Sequence, residues 1–312
     1  MPRLRYYLEF SASPATSTGG AAVERHPYQN VGMGNGDSGR VWLITGATSG
    51  FGRALADAAL GVGDTVIGAA RHPHRLKELV AAYPARAEAL EFDVTDTHRA
   101  AEVVDAVWNR WGRVDVLVNN AGRTQVGALE ETTDRELRDL FELHFFGPAA
   151  LTRAVLPHMR RRGGGAVVQM SSVGGQVTAP GFGAYCATKF ALEGLTETLA
   201  QEVDFGVRFL IVEPGAFRTG LFDRDAAHLS EPLPEYHATV GPTREYVRTG
   251  GGSQPGDPAK AARAILTALD APAPPLRLVL GDDAVDGVQA RIASLADELG
   301  RWEAVSRDTA LD

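Results

Sequence analysis

Tyr185 and Lys189 stand four residues apart in the stretch "GAYCATKFALEG". The chain has only three lysines among its 31 basic residues, the others being Lys77 and Lys260. Residues 183–203 have helical composition, and positions four apart on a helix share a face. A cation so placed favours a phenolate and draws the tyrosine pKa down from ~10 toward the working range. Such a phenol can act as a general acid or base. The bland alternative is an exposed helix that happens to carry a Tyr and a Lys, and only other motifs can decide between the two.

A second stretch suits a phosphate. "TGATSGFG" runs from Thr45 to Gly52 and includes Gly46, Ser49, Gly50, Phe51 and Gly52. It follows an apolar run and precedes a helical one. A glycine-rich turn in that place lets backbone N–H groups approach a pyrophosphate at a helix N-terminus. The glycine spacing is not the common G-x-G-x-x-G, so position after the first strand carries the reading. A third signal lies at the end of the next apolar run, "TVIGAAR". An acid there would hold the ribose 2′-hydroxyl of NAD, whereas an arginine suits the 2′-phosphate of NADP. Ala70 occupies the acid's place and Arg71 follows, so NADP is expected and NAD is the lesser alternative.

The elements that must hold these residues can be read from residue 40 onward. Apolar runs at 40–47, 65–71, 87–94, 114–122, 165–173, 207–215 and 275–281 alternate with helical stretches. Continuous apolar strands separated by helices predict a parallel sheet covered on both faces, a doubly wound α/β fold. A long helix is expected over residues 134–162. The segment at about 220–257 breaks the rhythm with Pro232, Pro234, Pro242 and Pro255. It is long for a connection and follows a strand's carboxyl end, where such folds bind ligands. It carries Leu221, Phe222, Leu229, Leu233, Tyr236, Val240 and Tyr246, which suits an apolar substrate lid or an oligomer contact.

Composition excludes several classes. A net charge of −8 without a basic tract argues against nucleic acid as a partner. No apolar run is long enough to span a membrane. The single cysteine, Cys186, forms no internal disulfide and fits an intracellular, cytoplasmic setting. No G-x-S-x-G turn appears, so a hydrolase is disfavoured. His72 and His74 flank Pro73 without a supporting cluster, so no metal site is expected. Residues 1–39 are rich in Ser, Thr, Gly and Pro and read as a disordered or loosely attached extension. Met33 precedes the first strand like a start residue, so residues 1–32 are expected to be dispensable for activity.

Four motifs in order, "TGATSGFG", "NNAG" (119–122), "YCATK" (185–189) and "EPGAFRT" (213–219), resemble the short-chain dehydrogenase/reductase superfamily. "VVQMSSVGG" and the long tail are similar to its retinol- and hydroxysteroid-dehydrogenase-like branch. The resemblance implies a Rossmann fold over residues 40–312, a nicotinamide cofactor, and homodimers or homotetramers. Matched residue by residue, it makes Tyr185 the general acid/base and has Lys189 bind the nicotinamide ribose. It picks Ser172 over Ser171 as the partner of the substrate oxygen. Asp93, with Val94 beside it, matches the adenine contact. Asn119, Ala121 and Gly122 would line the cofactor, and Pro214, Gly215 and Thr219 would flank the carboxamide. One position departs from the pattern: His144 stands where the family usually has asparagine. Two roles stay open for it, a part in the proton relay or packing.

The expected function is reversible carbonyl/alcohol interconversion on a small lipophilic substrate with NADP(H). The alternatives are a non-catalytic NADP-sensing protein on this fold and a 3-oxoacyl-type reductase, whose lid would be shorter.

Overall fold

The computed structural model describes residues 39–222 and 227–311. The expected N-terminal extension lies outside them. Seven strands form one parallel sheet: β1 (Val41–Thr45), β2 (Thr65–Ala70), β3 (Ala87–Glu91), β4 (Val116–Asn119), β6 (Gly165–Met170), β7 (Val207–Pro214) and β9 (Arg277–Leu280). Their order is β3-β2-β1-β4-β6-β7-β9. Strand order therefore reverses between β1 and β4, and such folds open a ligand crevice at that point.

Alternation along each strand explains why the runs look continuously apolar. Trp42 and Ile44 of β1 face one buried cluster, together with Val116, Val118, Val168 and Leu210. Helices α1 (Gly50–Gly61) and α8 (Pro258–Asp270) cover that face with Leu55, Leu60, Ile265 and Leu269. Val41 and Leu43 face the opposite cluster with Leu117, Val167 and Phe209. Helices α3 (Ala100–Trp111) and α5 (Gly147–Arg162) close it with Val104, Val107, Leu151 and Met159. Burial on both faces leaves no polar side to alternate with.

Two features depart from the sequence expectation. The long helix over 134–162 is interrupted by a π-turn at Glu142–Phe146 between α4 (Asp134–Phe141) and α5. Thr133 and Glu136 form a capping box at its start. A second, two-stranded sheet pairs β5 (Thr124–Val126) with β8 (Ala227–Leu229) in parallel. After β8, α7 (His237–Thr249) folds over Val126 and makes a third apolar cluster with Val240, Val247, Phe222 and Leu229. Glu131 and Arg244 fasten this layer through a buried salt bridge of 2.7 Å. Arg244 also donates to the Ser230 carbonyl, and Glu131 accepts from the Leu233 and Ala128 N–H groups.

Helix α6 (Gly183–Glu202) carries Tyr185 and Lys189. The last helix, α9 (Asp282–Arg307), begins against the turn at Val173–Gly175, where an added Cβ on Gly287 would touch Val173 and Val177. Beyond Val288 every described residue of α9 is exposed.

Candidate active site

The carboxyl ends of β1, β2, β4, β6 and β7 bring the expected residues to one edge of the sheet. β6 ends at Met170, and Ser171 and Ser172 follow it. The structure separates the two serines. Ser171 is buried and donates its hydroxyl to Glu193. Ser172 is half-buried, accepts the Gly174 N–H at 3.1 Å, and keeps its own proton for another acceptor. Its hydroxyl also neighbours that of Tyr185, where it favours the phenolate.

Burial is nevertheless the larger effect on Tyr185 and pushes its phenol up to about 12. This corrects the expectation that Lys189 draws it down. Helical spacing does bring the two together, with the ammonium 5.6 Å from the ring centroid. That ammonium donates to the Met170 carbonyl at 2.8 Å. Lys189 is itself only 5% exposed, and burial lowers it to about 8 despite Glu193 one turn on. Both groups therefore carry their protons near neutral pH in the protein alone.

His144 sits in the π-turn, fully enclosed, edge-on to the Tyr185 ring with centroids 5.6 Å apart. Its Nε2 accepts the Arg123 N–H at 3.2 Å, so the ring proton lies on Nδ1, which donates to Thr188 Oγ1 at 2.9 Å. Thr188 in turn donates to the Tyr185 carbonyl at 2.7 Å. Burial holds the imidazole well below its ordinary range, with the Lys189 and Arg123 charges adding to the effect. Both ring nitrogens are thus committed to bonds with protein groups.

The glycine-rich turn has the shape a pyrophosphate needs. Gly46 and Gly50 have φ of +65° and +54°, which favour glycine. A Cβ on Gly52 would lie 2.4 Å from the Gly46 carbonyl, so only glycine fits there. Ser49 makes no side-chain cap, which leaves the first N–H groups of α1 without an intrahelical partner. Thr219 lies across the same turn, 2.9 Å from where a Gly50 Cβ would be, and Phe217 packs on Phe51 at 5.2 Å. Pro214 ends β7, and Gly215 bonds Leu280 at 2.9 Å. Arg71 is exposed immediately beyond β2 and joins no ion pair among the described residues. Asp93 accepts from the backbone and hydroxyl of Thr95, and the Val94 carbonyl meets Gly147.

Asn119 behaves differently from its assignment. Its amide turns into α5 and donates to Thr152 and Pro148. The neighbour that the sequence reading passed over, Asn120, holds the phosphate turn instead. It donates to the Thr45 carbonyl at 2.8 Å and to the Gly46 carbonyl at 3.2 Å. Thr45 Oγ1 accepts from the N–H groups of Asn120 and Ala121. Gly122 packs on His144, where a Cβ would stand 3.2 Å from Nε2. The doublet "NN" was the available signal, since adjacent residues leaving a strand face opposite sides.

Behind Ser172 lies a buried carboxyl pair that the sequence did not reveal. Glu213, wholly buried on β7, accepts from Gln176, and Arg277 reaches it at 3.3 Å and Glu193 at 3.5 Å. Burial, with the Glu193 charge beside it, pushes Glu213 up to about 7, and burial raises Glu193 as well, while Arg277 faces both.

The short chain dehydrogenase family profile matches residues 40–229. A short-chain dehydrogenase from Streptomyces avermitilis is 62% identical, with a TM-score of 0.83, covering 88% of this chain and 100% of that one. An oxidoreductase of Botryotinia fuckeliana, BOA17, is 38% identical over 86% of this chain and 98% of its own. A 3-ketodihydrosphingosine reductase of Bacteroides thetaiotaomicron is 38% identical over 63% of this chain and 71% of its own.

Proposed function

The chain belongs to the short-chain dehydrogenase family, and from that premise we propose that it reduces a carbonyl on a small lipophilic substrate, reversibly, with NADP(H). Oxidoreduction at CH–OH groups is the family's chemistry, and the family binds nicotinamide cofactors. The observation that carries the reading is the meeting of Tyr185, Ser172 and Lys189, with the Ser172 hydroxyl beside the phenol and the Lys189 ammonium 5.6 Å from its ring centroid. A protonated phenol gives its proton to a carbonyl oxygen as negative charge develops there. Ser172 donates to the same oxygen and stabilises that charge. Lys189 supplies the neighbouring positive charge and would hold the nicotinamide ribose. When bound, the reduced nicotinamide supplies the hydride.

The pyrophosphate would sit on the N–H groups of Gly50, Phe51 and Gly52, with Thr45, Gly46 and Ser49 shaping the turn. Asp93 and Val94 would border the adenine, with Ala121 and Gly122 along the cofactor strand, Asn119 supporting that strand from the α5 side, and Pro214, Gly215 and Thr219 at the carboxamide. NADP is favoured over NAD because Arg71 is exposed at the end of β2 and Ala70 puts no acid beside it. A lipophilic substrate is favoured by the apolar layer of α7, which acts as the lid, with Phe222, Leu229 and Tyr236 under it. The relative named for a keto substrate fits the direction proposed here.

The test is a panel of ketones and aldehydes of increasing apolar length, with absorbance of reduced nicotinamide followed for NADPH and NADH separately. Turnover that rises with apolar length and prefers NADPH supports the reading. No turnover with any carbonyl, with cofactor binding intact, overturns it.

A further inference from the structure

The turn that follows Ser172 is clasped from two sides. On one side, an added Cβ at Gly174 would stand 3.2 Å from the Tyr185 ring. On the other, an added Cβ at Gly175 would fall 1.8 Å from Glu193 Oε1 and 2.6 Å from Ser171 Oγ. Glu193 therefore packs directly on this backbone, and it also accepts the Ser171 hydroxyl. One residue further on, Gln176 donates to Glu213 Oε2. Glu193 and Glu213 are 3% and 0% exposed and lie within hydrogen-bond reach of each other. Glu213 Oε1 is enclosed and accepts no hydrogen bond among the described residues. Two bare carboxylates so placed repel, and one proton between them turns the contact into a hydrogen bond.

We infer that Glu193 and Glu213 share one proton, and that the protonated pair is a positioning element for Ser172, holding its turn against Tyr185. This rests on the role proposed above for Ser172. The charged groups facing the pair are Arg277 from β9 and, from α6, Lys189 and Glu197. The Lys189 ammonium is bonded to the Met170 carbonyl, and Arg277 is divided among Glu193, Glu197 and Glu213. Asp283, at the start of α9, bonds the Ala216 N–H at 2.8 Å. Loss of the shared proton thus sets two buried carboxylates against one guanidinium that a third also engages. The repulsion bears on Gly175 and on the Gln176 tie, so the Ser172 hydroxyl is held less firmly. Burial, with the Glu193 charge adding, lifts Glu213 to about 7. The turn is therefore firm below that value and slackens above it.

The test is kcat at saturating NADPH and ketone from about pH 6 to 8, with melting temperatures to show that each variant is folded. Glu213→Gln keeps a neutral, hydrogen-bonding side chain at every pH. Its kcat relative to wild type should rise about threefold or more across that range. Gln176→Leu cuts the tie without entering the buried pair, so it serves even where Glu213→Gln fails to fold. It should lower kcat more at the acid end of the range than at the alkaline end. Infrared difference spectra of wild type over the same range should lose a protonated-carboxyl band that Glu213→Gln lacks. Ratios that stay flat with pH, or the same band in both proteins, overturn the inference alone if Ser172→Ala is slow. A Ser172→Ala enzyme with ordinary kcat overturns the role of Ser172 and the inference with it.

Discussion

His144 Nδ1 lies 2.9 Å from Thr188 Oγ1, and Thr188 passes the contact on to the Tyr185 carbonyl at 2.7 Å. The imidazole therefore ties the loop at Arg123 to the helix that carries the phenol. His144→Ala should cost about 2–4 kcal/mol in urea unfolding, because it leaves a void and two unpartnered polar groups. His144→Asn should recover part of that loss by supplying a donor and an acceptor. The pH sign follows from burial. The folded imidazole stays neutral well below 6.5, while the unfolded one takes a proton as pH falls through that value. Stability from this site is complete above about 6.5 and falls with acid, by up to about 1.4 kcal/mol per pH unit. That slope should flatten in His144→Asn, and an unchanged slope would show that the buried ring is not its source.

Tyr185→Phe should lower kcat by roughly 10²–10⁴ with the melting temperature nearly unchanged. Lys189→Met should cost a similar factor and weaken cofactor binding. A Tyr185→Phe protein with ordinary turnover would place the proton donor elsewhere.

Glu131 is buried, and burial alone would raise its carboxyl. Hydrogen bonds from Leu233, Ala128 and Arg244 outweigh that and hold it below the ordinary range. Arg244→Met removes the cation and leaves the carboxylate buried, a loss of about 3–5 kcal/mol. Glu131→Gln/Arg244→Met should lose less than Arg244→Met alone. Because the pair fastens α7, KM for an apolar substrate should rise more than kcat falls, measured at a temperature where both variants remain folded.

Glu213 titrates in the opposite sense. Its folded pKa is raised by burial and by Glu193, so its stabilising contribution is complete below the unfolded value of 4.5. That contribution is lost as pH rises through the folded value. Glu213→Gln keeps the shape without the charge. It should gain stability relative to wild type as pH rises from about 5 to 8, read from melting temperatures across that range. A constant difference at every pH would mean that Glu213 is ionised throughout.

The cofactor preference rests on Arg71. A charge-assisted bond to the 2′-phosphate is worth about 1.5–3 kcal/mol, or roughly tenfold to more than a hundredfold in kcat/KM for NADPH over NADH. Ala70→Asp with Arg71→Ala should reverse the preference, since repulsion adds to lost attraction. A wild type that prefers NADH would make Arg71 a surface residue.

The inner strands were legible because burial on both faces makes runs such as "VWLIT" and "TVIGAA" apolar, while the partly buried edge strands "AEALE" and "RLVL" carry charges and were read from their place in the alternation. The β5–β8 pair was not, because three-residue strands far apart in sequence leave no periodic trace. Nothing in "ELHFF" distinguishes a π-turn from ordinary helix. Motif order assembled the site around Tyr185, Lys189 and Ser172. Spacing, however, predicts proximity and says nothing of solvent, so the direction of the Tyr185 shift was missed. Asn120 was missed for a related reason, since only the point where β4 ends decides which asparagine meets the phosphate turn.

The burial of Lys189 has a practical side. Of the chain's three lysines, only Lys77 and Lys260 are exposed. Among the described residues, amine-directed coupling to a surface or dye would therefore reach these two side chains first, both apart from the enclosed ammonium beside Tyr185.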